Sequence, residues 1–142
     1  VRKAPPASVV MAEAAHFVGD APIVAHNASF DQRFWISELR RARVPCAHPF
    51  ACTLLASRRL YPEAPNHRLG TLVDFHGLPR TGTAHRALAD AEMAAALLNR
   101  ILTDLRGQHG VQHADHGLLQ RLQAVARAGV PAFLAREAGE AP

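Results

Sequence analysis

The amino-acid sequence predicts an α/β fold, and three observations carry that expectation. Ile23, Val24 and Ala25, and again residues 50–55, are short apolar runs of the kind that form strands buried on both faces. Each is followed at once by apolar residues at helical spacing. Residues 86–105 repeat Leu88, Ala91, Ala95, Leu98, Ile101 and Leu105 at three- and four-residue steps, the clearest amphipathic helix in the chain. Strands that alternate with helices indicate α/β architecture with a parallel sheet.

Taken in order, Pro5 and Pro6 open a first helix, because proline fits a first helical turn. Val10, Ala14, Phe17 and Val18 give it an apolar stripe, and Gly19 stops it. After the strand at 23–25, Ser29 is expected to cap a second helix, with Gln32 at capping-box spacing. Phe30, Phe34 and Trp35 are expected to pack inward, and this helix to run through Leu39 to about residue 42. A strand is predicted over residues 50–55, a short helix over 56–60, and a loop over 61–67, where Pro62, Pro65 and Asn66 break regular structure. Leu69, Leu72, Val73 and Phe75 predict a further short helix that ends near Gly77 and Pro79. Residues 80–84 form a Gly/Thr-rich loop ahead of the long helix. Residues 106–117 read as a solvated glycine- and histidine-rich linker. Residues 118–128 read as a last helix, stopped by Gly129 and Pro131, with a frayed polar tail behind it. The expected division is residues 1–105, a linker at 106–117, and a C-terminal helix and tail at 118–142.

Bulk properties bound the function. The 142 residues suffice for one domain with a core. A hydrophobic fraction of 49% and a charged fraction of 20% are ordinary for a globular protein. No apolar run approaches the ~20 residues of a membrane helix, and the N-terminus lacks the apolar segment of a signal peptide. A cytoplasmic location is therefore expected. The net charge is +4, the pI about 10.0, and Lys3 is the only lysine. The base is arginine, whose planar fork suits phosphate. Cys46 and Cys52 fit no common zinc spacing and read as reduced thiols.

Two segments carry chemistry. His26-Asn27-Ala28-Ser29-Phe30-Asp31 sits where a buried strand ends and a helix begins. Sites in open α/β sheets gather at the carboxyl ends of strands, and Asp31 would face that crevice from a first helical turn. His85-Arg86-Ala87-Leu88-Ala89-Asp90 puts a histidine at the end of a loop and an aspartate inside the first turns of the long helix. A histidine free to swing beside a carboxylate held still suits a general base and a metal ligand. Arg86 adjoins that histidine and could meet a phosphate, as could Arg58, Arg59 and Arg80. Arg40, Arg41 and Arg43 are explained more simply by favourable interaction with a helix C-terminus.

Together these segments closely resemble the DnaQ-like (DEDDh) 3′–5′ exonucleases of the ribonuclease H-like superfamily. HNASFD is similar to the family's second motif and HRALADAEM to its third, in the same order, across residues 5–102. The resemblance implies an α/β, ribonuclease H-like exonuclease fold with a C-terminal helix, and residues 1–105 as part of an exonuclease domain. It implies two Mg²⁺ or Mn²⁺ ions held by carboxylates, among them Asp31 and Asp90, with His85 as general base. Such ions, ~3.5–4 Å apart, clamp the attacking and leaving oxygens of a phosphodiester, and hard cations select carboxylate oxygen. Asn27 and Phe30 would line the cleft for the terminal nucleotide, and Arg86 would contact substrate beside the base. For Phe30 a place in the core is the stronger rival reading, and for Asn27 turn geometry is an equal one. The implied substrate is the 3′ end of single-stranded DNA, because HRALADAEM looks closer to the polymerase-associated proofreading branch; RNA is the lesser alternative. A DNA polymerase subunit is the implied partner, docked on the C-terminal helix if that helix does not simply cover the sheet.

One part of the family pattern has no counterpart. Its first motif is a strand with Asp-x-Glu, whose period of two puts both carboxylates on one face. The acids that precede His26 are Glu13 and Asp20, and neither has a partner two residues away. Asp90-Ala91-Glu92 cannot substitute, because residues two apart on a helix do not share a face; Glu92 reads as solvated. The fold is therefore expected to be incomplete at its N-terminal side, with an unpaired strand edge. Residues 1–142 are then a fragment of a longer product, or are completed by a partner. The rival reading is a non-catalytic nucleic-acid-binding or polymerase-docking module. A smaller departure is Cys52-Thr53, where many relatives carry Asp-Thr. His109, His113 and His116 raise zinc, but the intervening glycines favour a solvated linker. His26 reads as structural, Trp35 as core, and Asp74 and Asp104 as surface charges.

Overall fold

The computed structural model describes residues 4–45, 48–80 and 86–139. The elements run α1 (Ala7–Val18), β1 (Ile23–Ala25), α2 (Ala28–Arg41), β2 (Phe50–Cys52), α3 (Thr53–Leu60), α4 (Leu69–Phe75), α5 (Arg86–Gly107) and α6 (His116–Ala124). A 3₁₀ turn (Arg127–Gly129) then leads into α7 (Val130–Gly139). The two strands pair in parallel, Ile23 beside Phe50, Val24 beside Ala51 and Ala25 beside Cys52, with α2 as the crossover. The fold class is the expected α/β, mostly helical around a short parallel sheet, with helices at the C-terminal end.

The second strand is shorter than its apolar run suggests. Thr53, Ala56, Ser57 and Leu60 are all buried. Their spacing of three, one and three is helical, so Thr53 to Leu55 opens α3 rather than extending β2. The outer edge of β2 is closed by side chains. The Cys52 N–H donates to Gln123 Oε1 at 2.8 Å, and Gln120 Nε2 donates to the Phe50 carbonyl at 3.2 Å. Two glutamines of α6 thus do what a neighbouring strand would do, and satisfy buried backbone groups. The main core gathers α3 to α7: Leu72, Leu97, Ile101, Leu105, Leu118 and Leu122 are fully buried within it. Each such side chain contributes about 1.5–3 kcal/mol through burial.

Several local expectations are corrected. The second helix begins at Ala28, not behind a Ser29 cap. Asn27 is its N-cap, in a left-handed conformation (φ 64°, ψ 51°) and without a side-chain capping bond. The Ala28 N–H donates instead to Cys52 Sγ, 3.3 Å away across the sheet, and Cys52 is a free, buried thiol. Phe30 and Phe34 do not pack inward: they are 63% and 58% exposed. Phe17 is exposed too, and Ala15 is the buried residue of α1. Trp35 is half-buried and is held by its indole N–H, which donates to His48 Nδ1 at 3.1 Å. The opposite nitrogen of His48 donates to the Gly19 carbonyl at 2.8 Å.

The C-terminal third departs furthest from expectation. Residues 107–117 are no solvated linker, because Val111 and Ala114 are buried in the main core. Asp115 caps α6, its Oδ1 accepting the Leu118 N–H at 2.8 Å. The polar tail is a helix: Val130, Phe133 and Leu134 of α7 join the core. Pro131 sits in the first turn of α7, where proline is tolerated, rather than marking a stop. Glu137 is buried beneath this helix. Arg121 Nη2 donates to its Oε1 at 3.0 Å and His113 Nε2 lies 3.2 Å from its Oε2. Asp104, expected at the surface, is buried and accepts the Tyr61 hydroxyl at 2.6 Å. Asp74 does lie at the surface, in a bidentate pair with Arg80.

Two predictions follow from these buried polar contacts. Burial and the bond to Asp104 push the Tyr61 phenol well above its ordinary value of 10.0. Tyr61→Phe strips the buried carboxylate of that donor and is expected to lower the unfolding free energy by about 1–3 kcal/mol in urea titrations. Burial pushes the Glu137 carboxyl up, but its bonds to Arg121 and His113 outweigh this and hold it below its ordinary value of 4.5. A lowered folded pKa contributes stability above 4.5 that is lost as pH falls through the folded value. The melting temperature of the wild type is expected to exceed that of Glu137→Gln near neutrality, and the gap to narrow as pH falls below 4.5.

Candidate active site

The site is built at the carboxyl end of β1. A cavity of about 660 Å³ lies between this strand and the N-terminal half of α5. It touches Ile23, Val24 and Ala25 in succession. Neighbouring strand residues point to opposite faces, so a cavity that meets all three runs along the strand's edge. Among the described residues β1 has a ladder partner on one side only, β2. The floor on α5 is made of small residues, including Ala87, Ala91 and Ala94.

Asp31 and Asp90 both line this cavity. Asp31 is carried by the first turn of α2, where the helix dipole favours an anion. Asp90 projects from the second turn of α5. Both are exposed, and among the described residues neither has an ion-pair or side-chain hydrogen-bond partner. Two carboxylates from separate elements therefore share one apolar-floored space with their oxygens free. Their donor type suits a hard divalent cation. Their number is short of a full ligand set: among the described residues no three His, Cys, Asp or Glu side chains are grouped so as to hold a metal ion.

The remaining candidates are dispersed. His85 lies outside the described residues, as do Cys46 and residues 81–84. Arg86 opens α5 and is exposed, without lining the carboxylate cavity. Phe30 stands exposed beside Asp31, so the core reading of that residue is set aside. Asn27 lines a neighbouring cavity of about 510 Å³. Glu92 is exposed, and His109, His113 and His116 form no metal group among the described residues.

His26 ties the site together. Its Nε2 is 2.8 Å from the His67 carbonyl and its Nδ1 2.8 Å from Thr53 Oγ1. A carbonyl only accepts, so Nε2 carries the proton, and the Thr53 hydroxyl donates to Nδ1. Burial holds this imidazole below its ordinary range despite the bond to His67, and the charge of nearby Arg58 acts in the same direction as burial. His67 in turn uses its Nε2–H on the Tyr61 carbonyl at 2.8 Å. The relay fastens the end of β1 to the start of α3 and to the irregular segment before α4. Sequence reasoning took His26 as structural but missed its partners. The parallel register, which sets Ala25 beside Cys52 and so His26 beside Thr53, was the signal that could have found them.

No helix among the described residues is long and apolar enough to cross a membrane. Comparison with known proteins accords with the geometry. Among curated proteins, the chain is 36% identical to a PolC-type DNA polymerase III of Bacillus subtilis (strain 168) over 121 residues, 81% of this chain and 8% of the relative. It is 40% identical over 101 residues to the PolC-type DNA polymerase III of Halalkalibacterium halodurans, covering 70% of this chain and 7% of that protein. A Streptococcus pneumoniae PolC-type DNA polymerase III is 36% identical over 112 residues, 78% of this chain and 8% of its own length. The chain thus spans less than a tenth of the length of these relatives. No solved structure matches it. The sequence model of the exonuclease family matches residues 1–98, which takes in β1, β2, Asp31 and Asp90, and the chain belongs to that family.

Proposed function

We propose that this domain removes nucleotides one at a time from the 3′ ends of single-stranded DNA, by hydrolysis that uses two divalent ions, Mg²⁺ or Mn²⁺. The observation that carries this reading is that Asp31 and Asp90, from α2 and α5, line one cavity along the free side of β1 with no competing cation beside them among the described residues. Bound there, the ions would offset the charge that develops on the phosphodiester. Asp31 and Asp90 hold them, each fixed by its helix. His85 takes the proton of the attacking water, as its place one residue ahead of α5 and its family motif suggest. Exposed Phe30 offers a face on which the terminal base can stack. Asn27 and Arg86 hold the strand at the mouth of the site.

Two further carboxylates belong on an extended segment with Asp-x-Glu, from the same polypeptide or from a partner, seated against β1. The period of two would turn both toward Asp31 and Asp90. The closed outer edge of β2 supports this place for it, because β1 offers the free side and that side faces the cavity. The similarity to PolC-type DNA polymerase III supports work within or beside a replicative polymerase, as a proofreading activity. A second reading, a nucleic-acid-binding module without catalysis, draws support from the lack of a third ligand among the described residues.

Single-stranded DNA labelled at one end or the other, with Mn²⁺, separates these readings. With the Asp-x-Glu segment present, mononucleotides are expected from the 3′ end, with loss to background in Asp31→Asn and Asp90→Asn and a fall of about 100-fold or more in His85→Ala. Release from the 5′ end, or release that survives Asp31→Asn, would overturn the exonuclease reading. Binding without release, unchanged by the same substitutions, would favour the binding module. Faster release from an RNA strand would move the substrate to RNA.

A further inference from the structure

The second cavity, of about 510 Å³, shares His26 and Leu69 with the carboxylate cavity, so the two are joined at that wall. Their charges are opposite. The first holds Asp31 and Asp90; the second holds Arg58 and Arg68 and no acid. Several other arginines have partners: Arg80 pairs with Asp74, Arg121 with Glu137, and Arg59 donates to the Val125 and Leu55 carbonyls. Among the described residues no carboxylate pairs with Arg58 or Arg68. Two unpaired guanidinium groups that converge on one cavity repel each other, an arrangement that a bound anion relieves.

The amides in the wall point to the same ligand. Asn27 is held in the left-handed region and its side chain makes no capping bond. Asparagine adopts this conformation readily, and with no capping bond its side-chain amide is left to face the cavity it lines. Asn66 Oδ1 accepts the Arg68 N–H at 3.0 Å, which leaves the amide NH₂ of Asn66 as a donor. The loop that bears Asn66 and Arg68 is fixed by the His26–His67–Tyr61 relay. The cavity therefore presents two arginine forks and amide donors on a braced frame, beside a site for a strand's end. We propose that this cavity binds a backbone phosphate of the substrate strand, on the side of the scissile bond that stays with the polymer. His26 is a positioning residue for it.

The proposal rests on the nucleic-acid reading of the site but not on catalysis, so binding is measured without hydrolysis. The probe is a single-stranded DNA oligonucleotide with a fluorescent label at its 5′ end, in EDTA, followed by anisotropy over a range of salt. Arg58→Gln and Arg68→Gln are each expected to weaken binding about 3–10-fold and, together, to reduce the salt slope by about 0.7, the share of the one phosphate they hold on a single strand. Arg127→Gln, in the exposed 3₁₀ turn, is expected to change neither. Circular dichroism melts that match the wild type establish that the variants fold; both arginines are exposed, so no core is disturbed. Equal affinity and slope in the double variant would overturn the subsite, even if the wild type releases nucleotides. If the wild type binds the strand in EDTA with the predicted losses yet never hydrolyses it when Mn²⁺ and the Asp-x-Glu segment are both supplied, the subsite stands and the exonuclease reading falls.

Discussion

The structure hangs on a parallel ladder of three residue pairs, β1 against β2. Three pairs are too few to satisfy a sheet, and the rest of the molecule is arranged around that shortfall. Every strand-end amide and carbonyl left over must find a partner or carry a desolvation cost of about 1–3 kcal/mol. Gln120 and Gln123 meet the outer edge of β2. The Cys52 thiol takes the first N–H of α2, and the Thr53 hydroxyl and the His67 carbonyl receive His26 at the end of β1. These same contacts set where α2 and α3 start. Asp31 is placed by the start of α2, so the position of a candidate ligand is a consequence of how a short sheet closes its own hydrogen bonds.

The two ends of the strands also separate charge. His26, kept neutral by burial, forms the wall between a carboxylate cavity and an arginine cavity. An ionised imidazole there would be repelled by Arg58 and would lose solvation in its half-buried place. A neutral one leaves the acids free for cations and the arginines free for anions. A polynucleotide end needs both within one nucleotide's reach: cations at the bond that breaks and a grip on the chain that remains. That pairing of opposite fields across one side chain is harder to explain for a fold with no phosphate ligand.

Much of this was legible in the sequence. The apolar run at Ile23–Ala25, the helix behind it and the seven-residue reach of apolar steps in α5 are local signals, and they placed Asp31 and Asp90 correctly on their helices. What failed depended on distant partners. Ser29 looked like a cap because it has the right side chain at the right spacing, but the helix starts one residue earlier, at Ala28, whose N–H is held by a thiol from β2. Val111 and Ala114 sit among glycines and histidines, and their burial depends on α7 lying over them. Pro131 read as a stop, although the same proline fits the first turn of a new helix. Asp104 looked like a surface charge because its donor, Tyr61, is forty-three residues away.

The uneven distribution of the core bears on the site. The helices α3 to α7 share one large cluster with Ala51 of β2, and Val24 of β1 packs against it, whereas the start of α2 and the remaining strand residues rest on a small one made of Ala28, Phe50 and Cys52, with Ile23, Trp35 and Leu54 against it. Phe17, Phe30 and Phe34 lie exposed on that weaker side. Asp90 rides on α5 in the strong half and Asp31 on α2 in the weak half, with the cavity between them. Their separation therefore depends on the ladder and the contacts around Cys52 and His26, together with the packing of Val24 and Ala51 on the large core. Any ligand held by both carboxylates joins the two halves, and its binding energy is added to the stability of the weaker one. An extended segment along the free side of β1 would act in the same direction, by giving that strand a second ladder and covering apolar surface. Occupation of the site and completion of the fold are then one physical event, which accounts for why the open edge and the unpaired carboxylates are found in the same place.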